Sequence, residues 1–531
     1  MASPAAPPTS ASPALQYASP RGRWVLAAMV LGSGIAGLDA TVVGIALPAI
    51  GRDFHVGEAS LQWVVDAYTL SLAGLLLLGG TLGDRYGRRK IFIIGTIWFA
   101  LASLLCGVAP DDITLILARA LQGVGAALLT PGSLAILQAS FVEKDRPAAI
   151  GAWSGLGGLA SAIGPFIGGW LISAVSWRLV FFINLPLAAL VVVVSSRHVP
   201  ESRAPGEAGR LDVPGAVAIT GALVGITYGL IDASAAGWSS LPVLASLVGG
   251  LILLALFLVI ESRSSQPMLP LHVFASRQFS AANLVTFVVY AALGGVLFLF
   301  PTVLQEVSGY SPLASGAAFL PVTVVMLLLS SRSGALAARI GPRLQMSVGP
   351  VVIAAGLLLF ARVNGSGNYL TEVLPAVLVF GLGLAINVAP LTSTAMSSVP
   401  ADHSGVASAV NNDVARAAGL IAVAVIPVAA GITGDSYLHA AALAHGFRNA
   451  VFIAAAACVV GGLIAATMIR NPPRAEAERS AAAGEPAEVP PPALNCGLDA
   501  PPLTCENARR RAAVPADRSH GRPGRAEGDG P

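Results

Sequence analysis

Three ionisable side chains stand inside long apolar stretches of this sequence: Asp39, Asp66 and Arg119. A carboxylate in the middle of a bilayer is costly unless it is neutral or paired. A change of conformation or ligand that pairs or unpairs it therefore moves its proton, so such an acid is a candidate proton carrier. Arg119 lies about six residues into its stretch, Asp66 about five, and Asp39 about ten from the end of its own. At roughly 1.5 Å per residue, the three fall within about a helical turn of one another in height. One base and two acids at one level can pair and exchange. The plain alternative is a static buried ion pair that fixes helix packing. Asp66 is the weaker candidate of the two acids, because water can reach it nearer the surface. Further along, Gly405, Ser408, Asn412, Arg416 and Gly419 recur in three- and four-residue steps and share one helix face. A polar stripe on a membrane helix faces the bundle interior or a cavity. Asp413 precedes Arg416 by three residues and can pair with it, either neutralising it locally or serving as a second titratable or substrate-facing acid.

The elements that must position these groups are membrane helices. The chain has 531 residues, 55% hydrophobic and 11% charged, with mean hydropathy +0.74. Between residues 24 and 469 it holds fourteen apolar stretches, each long enough to cross about 30 Å of hydrocarbon as a helix. Backbone groups in lipid must bond within their own segment, which at these lengths means helix. With an even number of spans and both termini inside, sixteen Lys and Arg fall in inward segments and four in outward loops, an asymmetry that sets orientation. Residues 1–23 read as a disordered arm, and 471–531 as a disordered polar, Pro-rich tail. No disulfide is expected from the four cysteines, and the seven histidines have no metal-ligand spacing. The preference for Arg over Lys suggests a GC-rich bacterial genome.

The densest charge is the run Gly80–Lys90, GTLGDRYGRRK. Its glycines permit a tight turn, and its bases hold that turn inside. Gly334–Arg343 matches it at Gly334, Leu336, Arg339, Gly341 and Arg343, with Ala338 in place of Asp84. A weak repeat of this kind marks the two halves of a transporter. It falls eight spans later, so two extra spans lie between the halves. The domains are therefore a six-helix bundle at 24–196, a linker with two additional transmembrane helices at 197–278, and a second six-helix bundle at 279–470.

Gly80–Lys90 resembles the signature loop of the major facilitator superfamily, and the whole arrangement resembles its fourteen-span drug:proton antiporter family. Leu38–Pro48 resembles that family's first-span motif, with Gly44 where Asn is usual, and Leu115–Ala127 resembles its fourth-span motif. Trp177–Pro186 is similar as well. The resemblance implies a latch built from Gly80, Gly83, Asp84, Arg85, Gly87, Arg88 and Arg89, with Asp84 docking at a helix N-terminus near Ser404–Gly405. It links Arg119 to proton transfer; Asp39, Asp66 and Asp413 are the candidate proton-coupling acids by their positions in the spans, and Asp413 departs from the family, whose members often carry a hydroxyl residue there. Gly157, Gly164, Pro165, Gly168 and Gly169 resemble the antiporter motif, which implies export. By sequence alone, those small residues permit backbone-to-backbone helix contact, and Pro165 permits a bend. Gln122, Tyr290, Gln305, Asn387, Asn412 and Arg416 are candidate cavity residues.

The expected protein is all-α and polytopic, with the major facilitator fold: two six-helix bundles plus two central helices. Its expected function is alternating-access export of small amphipathic organic compounds, a drug or antibiotic, in exchange for protons. The alternatives are a uniporter or importer of a metabolite, or a dedicated exporter of an endogenous secondary metabolite. No Gly-Lys pair occurs, so no Walker loop is present to drive an ATP pump. No nucleophile–base constellation points to an enzyme. The expected partners are a small-molecule substrate, protons and the lipid bilayer, without nucleic acid and without a cofactor beyond the proton gradient. One chain carries both halves and can act as a monomer. The expected location is a bacterial cytoplasmic membrane.

Overall fold

The computed structural model describes residues 15–203, 211–264, 267–363, 365–399, 404–433 and 439–471. The first half comprises α1 (Pro20–Phe54), α2 (Glu58–Tyr86), α3 (Arg88–Gly107), α4 (Asp112–Ser140), α5 (Arg146–Ala174), and the short α6 (Leu179–Phe182) running into α7 (Asn184–His198). Next come α8 (Val213–Ala236) and α9 (Leu241–Arg263). The second half comprises α10 (Arg277–Glu306), the short α11 (Pro312–Ala317) leading into α12 (Leu320–Ile340), α13 (Pro342–Phe360), α14 (Leu374–Ser397), α15 (Ser404–Ala429) and α16 (Ala440–Met468). Counting α6–α7 and α11–α12 as one each, 13 segments among the described residues are long and apolar enough to cross a membrane. The fourteenth is α5, whose 29 residues extend roughly 43 Å at 1.5 Å per residue.

Local chemistry starts and stops these helices. The Ser19 hydroxyl accepts from the Gly22 amide, with Pro20 at the first helical position of α1. Asp111 accepts from the Thr114 amide at 2.7 Å to open α4, and Ser276 and Ser311 cap α10 and α11 in the same way. Composition suggests an unstructured arm to residue 23, but Leu15–Arg23 are ordered. There, the Leu15 amide donates to the Ser140 carbonyl (2.8 Å), and the Val142 amide donates back to the Leu15 carbonyl (3.1 Å).

The Gly80–Lys90 segment is hardly a loop. Helix α2 continues to Tyr86, α3 begins at Arg88, and Gly87 alone makes the corner, with φ +116°. The segment docks on the chain leaving α7: the Arg89 and Lys90 amides donate to the Glu201 carboxylate at 3.0 and 3.2 Å. An acid at the N-terminus of α3 satisfies amides that have no partner within the helix. The second half repeats the device. Gly341, with φ +86°, separates α12 from α13, and the Arg343 amide donates to Asn471 Oδ1 at 3.0 Å, just beyond α16. In both halves, the residue that holds the corner follows that half's last helix. The pairings α1 with α5, α2 with α4 and α3 with α4 recur as α10 with α15, α12 with α14 and α13 with α14.

Helix α8 belongs to neither bundle alone. It lies against α2, where Thr220 packs on Gly74, and against α15, so that Leu70, Leu223 and Leu420 form one apolar cluster across the seam. Helix α9 packs on α8.

The corners carrying Gly87 and Gly341 mark one end of the molecule, here the basic end. Three cross-half contacts among the described residues lie toward the other end, the far end. Arg52 pairs with Glu306, Gln62 Nε2 donates to the Val423 carbonyl at 3.1 Å, and Gln305 Nε2 donates to the Ile45 carbonyl at 3.1 Å. Helices α5 and α11 touch backbone to backbone: a Cβ on Gly169 would stand 2.4 Å from the Pro312 carbonyl oxygen, and one on Gly316 would stand 2.0 Å from that of Pro165. The two halves are in close contact at the far end.

The corner geometry separates glycines that sequence alone treats alike. A Cβ on Gly87 would lie 2.9 Å from the Glu201 carboxylate, whereas one on Gly80 meets Pro131 at an ordinary 3.6 Å. Gly87→Ala should therefore destabilise the protein by about 1–3 kcal/mol, while Gly80→Ala should leave it unchanged or slightly more stable. Thermal unfolding of the two purified variants in detergent checks this; equal midpoints would contradict it.

Candidate functional site

Two polar assemblies lie within the apolar interior, and they differ in how far their groups are satisfied. The first surrounds Asp39. Asp39 is 0% exposed and Arg119 1% exposed, and they form an ion pair at 2.6 Å. The other Asp39 oxygen accepts from Gln122 Nε2 (2.8 Å) and Asn184 Nδ2 (2.9 Å). Arg119 also donates to Gln122 Oε1 (2.6 Å) and, through Nε, to the Val64 carbonyl (3.0 Å). Its guanidinium lies 4.3 Å from the centre of the Tyr68 ring, a cation–π contact. Ser103 accepts from both Gln122 and Asn184, at 3.1 and 2.9 Å. Five helices, α1, α2, α3, α4 and α7, are thus tied by one network. A charge pair at this depth is tolerated because the second Asp39 oxygen and Nε and Nη1 of Arg119 are also bonded, and removing one partner would strand the other at a cost of about 3–5 kcal/mol.

The second assembly lines a cavity of about 430 Å³ between the halves. Asp66 reaches it from α2 and Arg416 from α15, among Phe298, Phe319, Phe380 and Leu384. Asp66 is 0% exposed, and neither of its oxygens has a hydrogen-bond partner. Nε of Arg416 is likewise buried and unpartnered.

This geometry separates residues that depth counting groups together. Arg119 pairs with Asp39 and not with Asp66. Asp66, expected to be reached by water, is buried, because its face of α2 turns toward the second half. Asp413 makes no ion pair with Arg416 on the same helix, and its Oδ1 is buried without a partner. Gln122, expected in the cavity, belongs to the Asp39 network. Gln305 is part of the far-end contact, Tyr290 packs on the apolar core, and Asn387 is buried beside Gly349 on α13. Asn412 is exposed and bonds its own helix at Ser408. Its neighbour Asn411 is the buried one, donating to Asn283 Oδ1 and Thr286 Oγ1 on α10. Of the six candidate cavity residues, Arg416 alone lines the cavity.

The small residues of α5 divide their work. Gly164 and Gly168 admit Thr41 and Val42 of α1, Gly169 and the Pro165 carbonyl meet α11, and a Cβ on Gly157 would meet open space. Asp84 bonds Arg88 four residues on, at 2.7 Å, which also donates to the Ala135 carbonyl at 3.3 Å. The side chains of Ser404 and Gly405, where docking was expected, lie outside the described residues. Arg85 stacks on Tyr86, with 5.6 Å to the ring centre. Sequence reasoning missed Asn184, Ser103 and Glu201. Asn184 is a polar residue inside the noted Trp177–Pro186 stretch, which was an available signal.

The Major Facilitator Superfamily profile matches residues 29–424. The puromycin resistance protein of Streptomyces alboniger is 38% identical over 494 residues, spanning 90% of this chain and 97% of that protein. The tetracenomycin C resistance and export protein of Streptomyces glaucescens is 36% identical over 412 residues, spanning 77% and 76%. Among solved structures, a bacterial homologue of the human lysosomal transporter Spinster, inward-facing and unoccupied, matches with TM-score 0.62 at 16% identity, over 84% of this chain and 97% of that one. The last is a likeness of fold. With two helical bundles, two central helices and fourteen spans, this multi-pass membrane protein belongs to the Major Facilitator Superfamily of transporters.

Proposed function

We propose that the protein is a proton-coupled antiporter that exports small amphipathic organic compounds across a bacterial cytoplasmic membrane. The basic end and both termini face the cytoplasm in this reading, as the distribution of Lys and Arg favours. The observation that carries it is Asp66, an acid with no partner, set in an apolar cavity between two bundles. Holding an unpaired carboxylate charged at such a depth is costly, so it exchanges its proton when a ligand or a conformational change supplies a partner. Asp39 is less suited to exchange, because its bonds are already made. The Asp39–Arg119 network instead positions α2, through the bond from Arg119 to Val64, two residues before Asp66. The close far-end contact supports a molecule that is open toward the cytoplasm in this state and rocks to open outward. The names of the relatives, resistance to puromycin and to tetracenomycin C, support export of an antibiotic-like compound.

The test uses inside-out vesicles with an imposed proton gradient and a panel of lipophilic compounds. Substrate-induced proton release is expected in the wild type and is expected to disappear in Asp66→Asn at normal membrane levels. Asp39→Asn should lower the folded yield more than Asp66→Asn does, because it disturbs a bonded network. Release that survives in Asp66→Asn would move the proton site elsewhere. Absence of release with every compound would leave uniport or import.

The far-end contact offers a separate test. Gly316→Ala should wedge α11 away from α5 and favour the outward-open state. A cysteine at Val423 should then react faster with an impermeant maleimide added outside. Unchanged labelling would contradict rocking at this contact.

A further inference from the structure

Among the described residues, Arg119 and Arg416 both reach the interior, and they differ in how they are partnered. Arg119 has a carboxylate, an amide, a backbone carbonyl and an aromatic face around it. Arg416 has none of these: among the described residues, no carboxylate oxygen lies within 4.0 Å and its Nε bonds nothing. A guanidinium stays charged at any working pH. A fixed charge in an apolar cavity is expensive until an anion joins it. Asp66, on the other half, lines the same cavity, and neither of its oxygens has a hydrogen-bond partner. Asp66 and Arg416 do not meet, and Asp413, three residues before Arg416 on the same helix, interacts with it electrostatically without forming an ion pair, so both Asp66 and Arg416 present an unbonded polar group to one shared space. Phe298 and Phe380 offer flat apolar surface on that space, suited to ring systems.

We propose that the cavity selects zwitterionic amphiphiles, with Arg416 holding the substrate's anionic group and Asp66 its cationic group. This rests on the exporter reading above and gives it a substrate class. The cationic group, on arrival, takes the place of the proton on Asp66, and that proton leaves to the cytoplasm. A purely cationic compound leaves Arg416 unpaired and adds a like charge beside it. A purely anionic one leaves Asp66 without a counter-charge. A zwitterion satisfies both halves at once and bridges α2 to α15.

The probes are rhodamine B, which carries a carboxylate and a delocalised cation, and its ethyl ester, which keeps only the cation. Binding to the purified full chain in nanodiscs is followed by fluorescence anisotropy, with empty nanodiscs subtracted. The ester is the more lipophilic, so nonspecific partitioning works against the expected result. The wild type should bind rhodamine B about tenfold or more tighter than the ester, a difference typical of one charge-assisted contact. Arg416→Gln should abolish that preference by weakening rhodamine B alone, and Arg416→Lys should retain part of it. Equal wild-type affinities overturn the proposal even if no variant can be purified, and so does an equal loss of both dyes in Arg416→Gln. Proton release that depends on Asp66 and is driven equally by both dyes would sink this inference while leaving the exporter reading intact. If neither dye binds the wild type, this inference falls with the amphipathic-substrate reading beneath it.

Discussion

A charge inside a bilayer must find its opposite, and this requirement organises the interior of the protein. Where the chain meets it in full, at Asp39 and Arg119, the result is a rigid network tying five helices of one bundle. Where the chain leaves it unmet, at Asp66 and Arg416, the result is a cavity between two bundles that an external ligand can complete. Both assemblies use the same residue types. Their roles differ because hydrogen-bond partners surround one and are absent from the other.

The surrounding architecture lets the cavity exist without collapsing. The far-end contact rests on small residues of α5 and α11 that bring backbones together, so that bundles whose contacting faces are largely apolar can meet closely and still part. The corners at Gly87 and Gly341 are each clamped by a residue beyond the last helix of their own half, which makes each bundle a closed unit able to move as a body. The inserted helix α8 lies along the seam between α2 and α15. It covers one side of the cavity wall, near Leu420, which lines the cavity, and Leu70.

Much of this could be read from the residues. Hydropathy located the spans, and the match between Gly80–Arg89 and Gly334–Arg343 anticipated paired corners whose geometry recurs. Depth counting brought Arg119 level with Asp39, which it pairs with. It also brought Asp66 level with both, but height along a helix says nothing about rotation. Asp66 faces the other bundle, and only the packing of α2 against α15 reveals that. Gln122, Tyr290, Gln305 and Asn387 stood out as polar residues in apolar helices, and all are buried or half-buried. The choice among network, far-end contact and cavity depends on neighbours more than a hundred residues away in several cases. The same holds for Glu201, whose use as a helix cap needs the approach of α7's end to the start of α3.

The central claim is that Asp66 gives up a proton when substrate arrives. Substrate-induced infrared difference spectroscopy on the reconstituted protein tests it most directly. The account expects a negative band in the protonated-carboxyl C=O stretching region on substrate addition, present in the wild type and absent in Asp66→Asn. A band that persists unchanged in Asp66→Asn, or a wild-type spectrum without one, would contradict it.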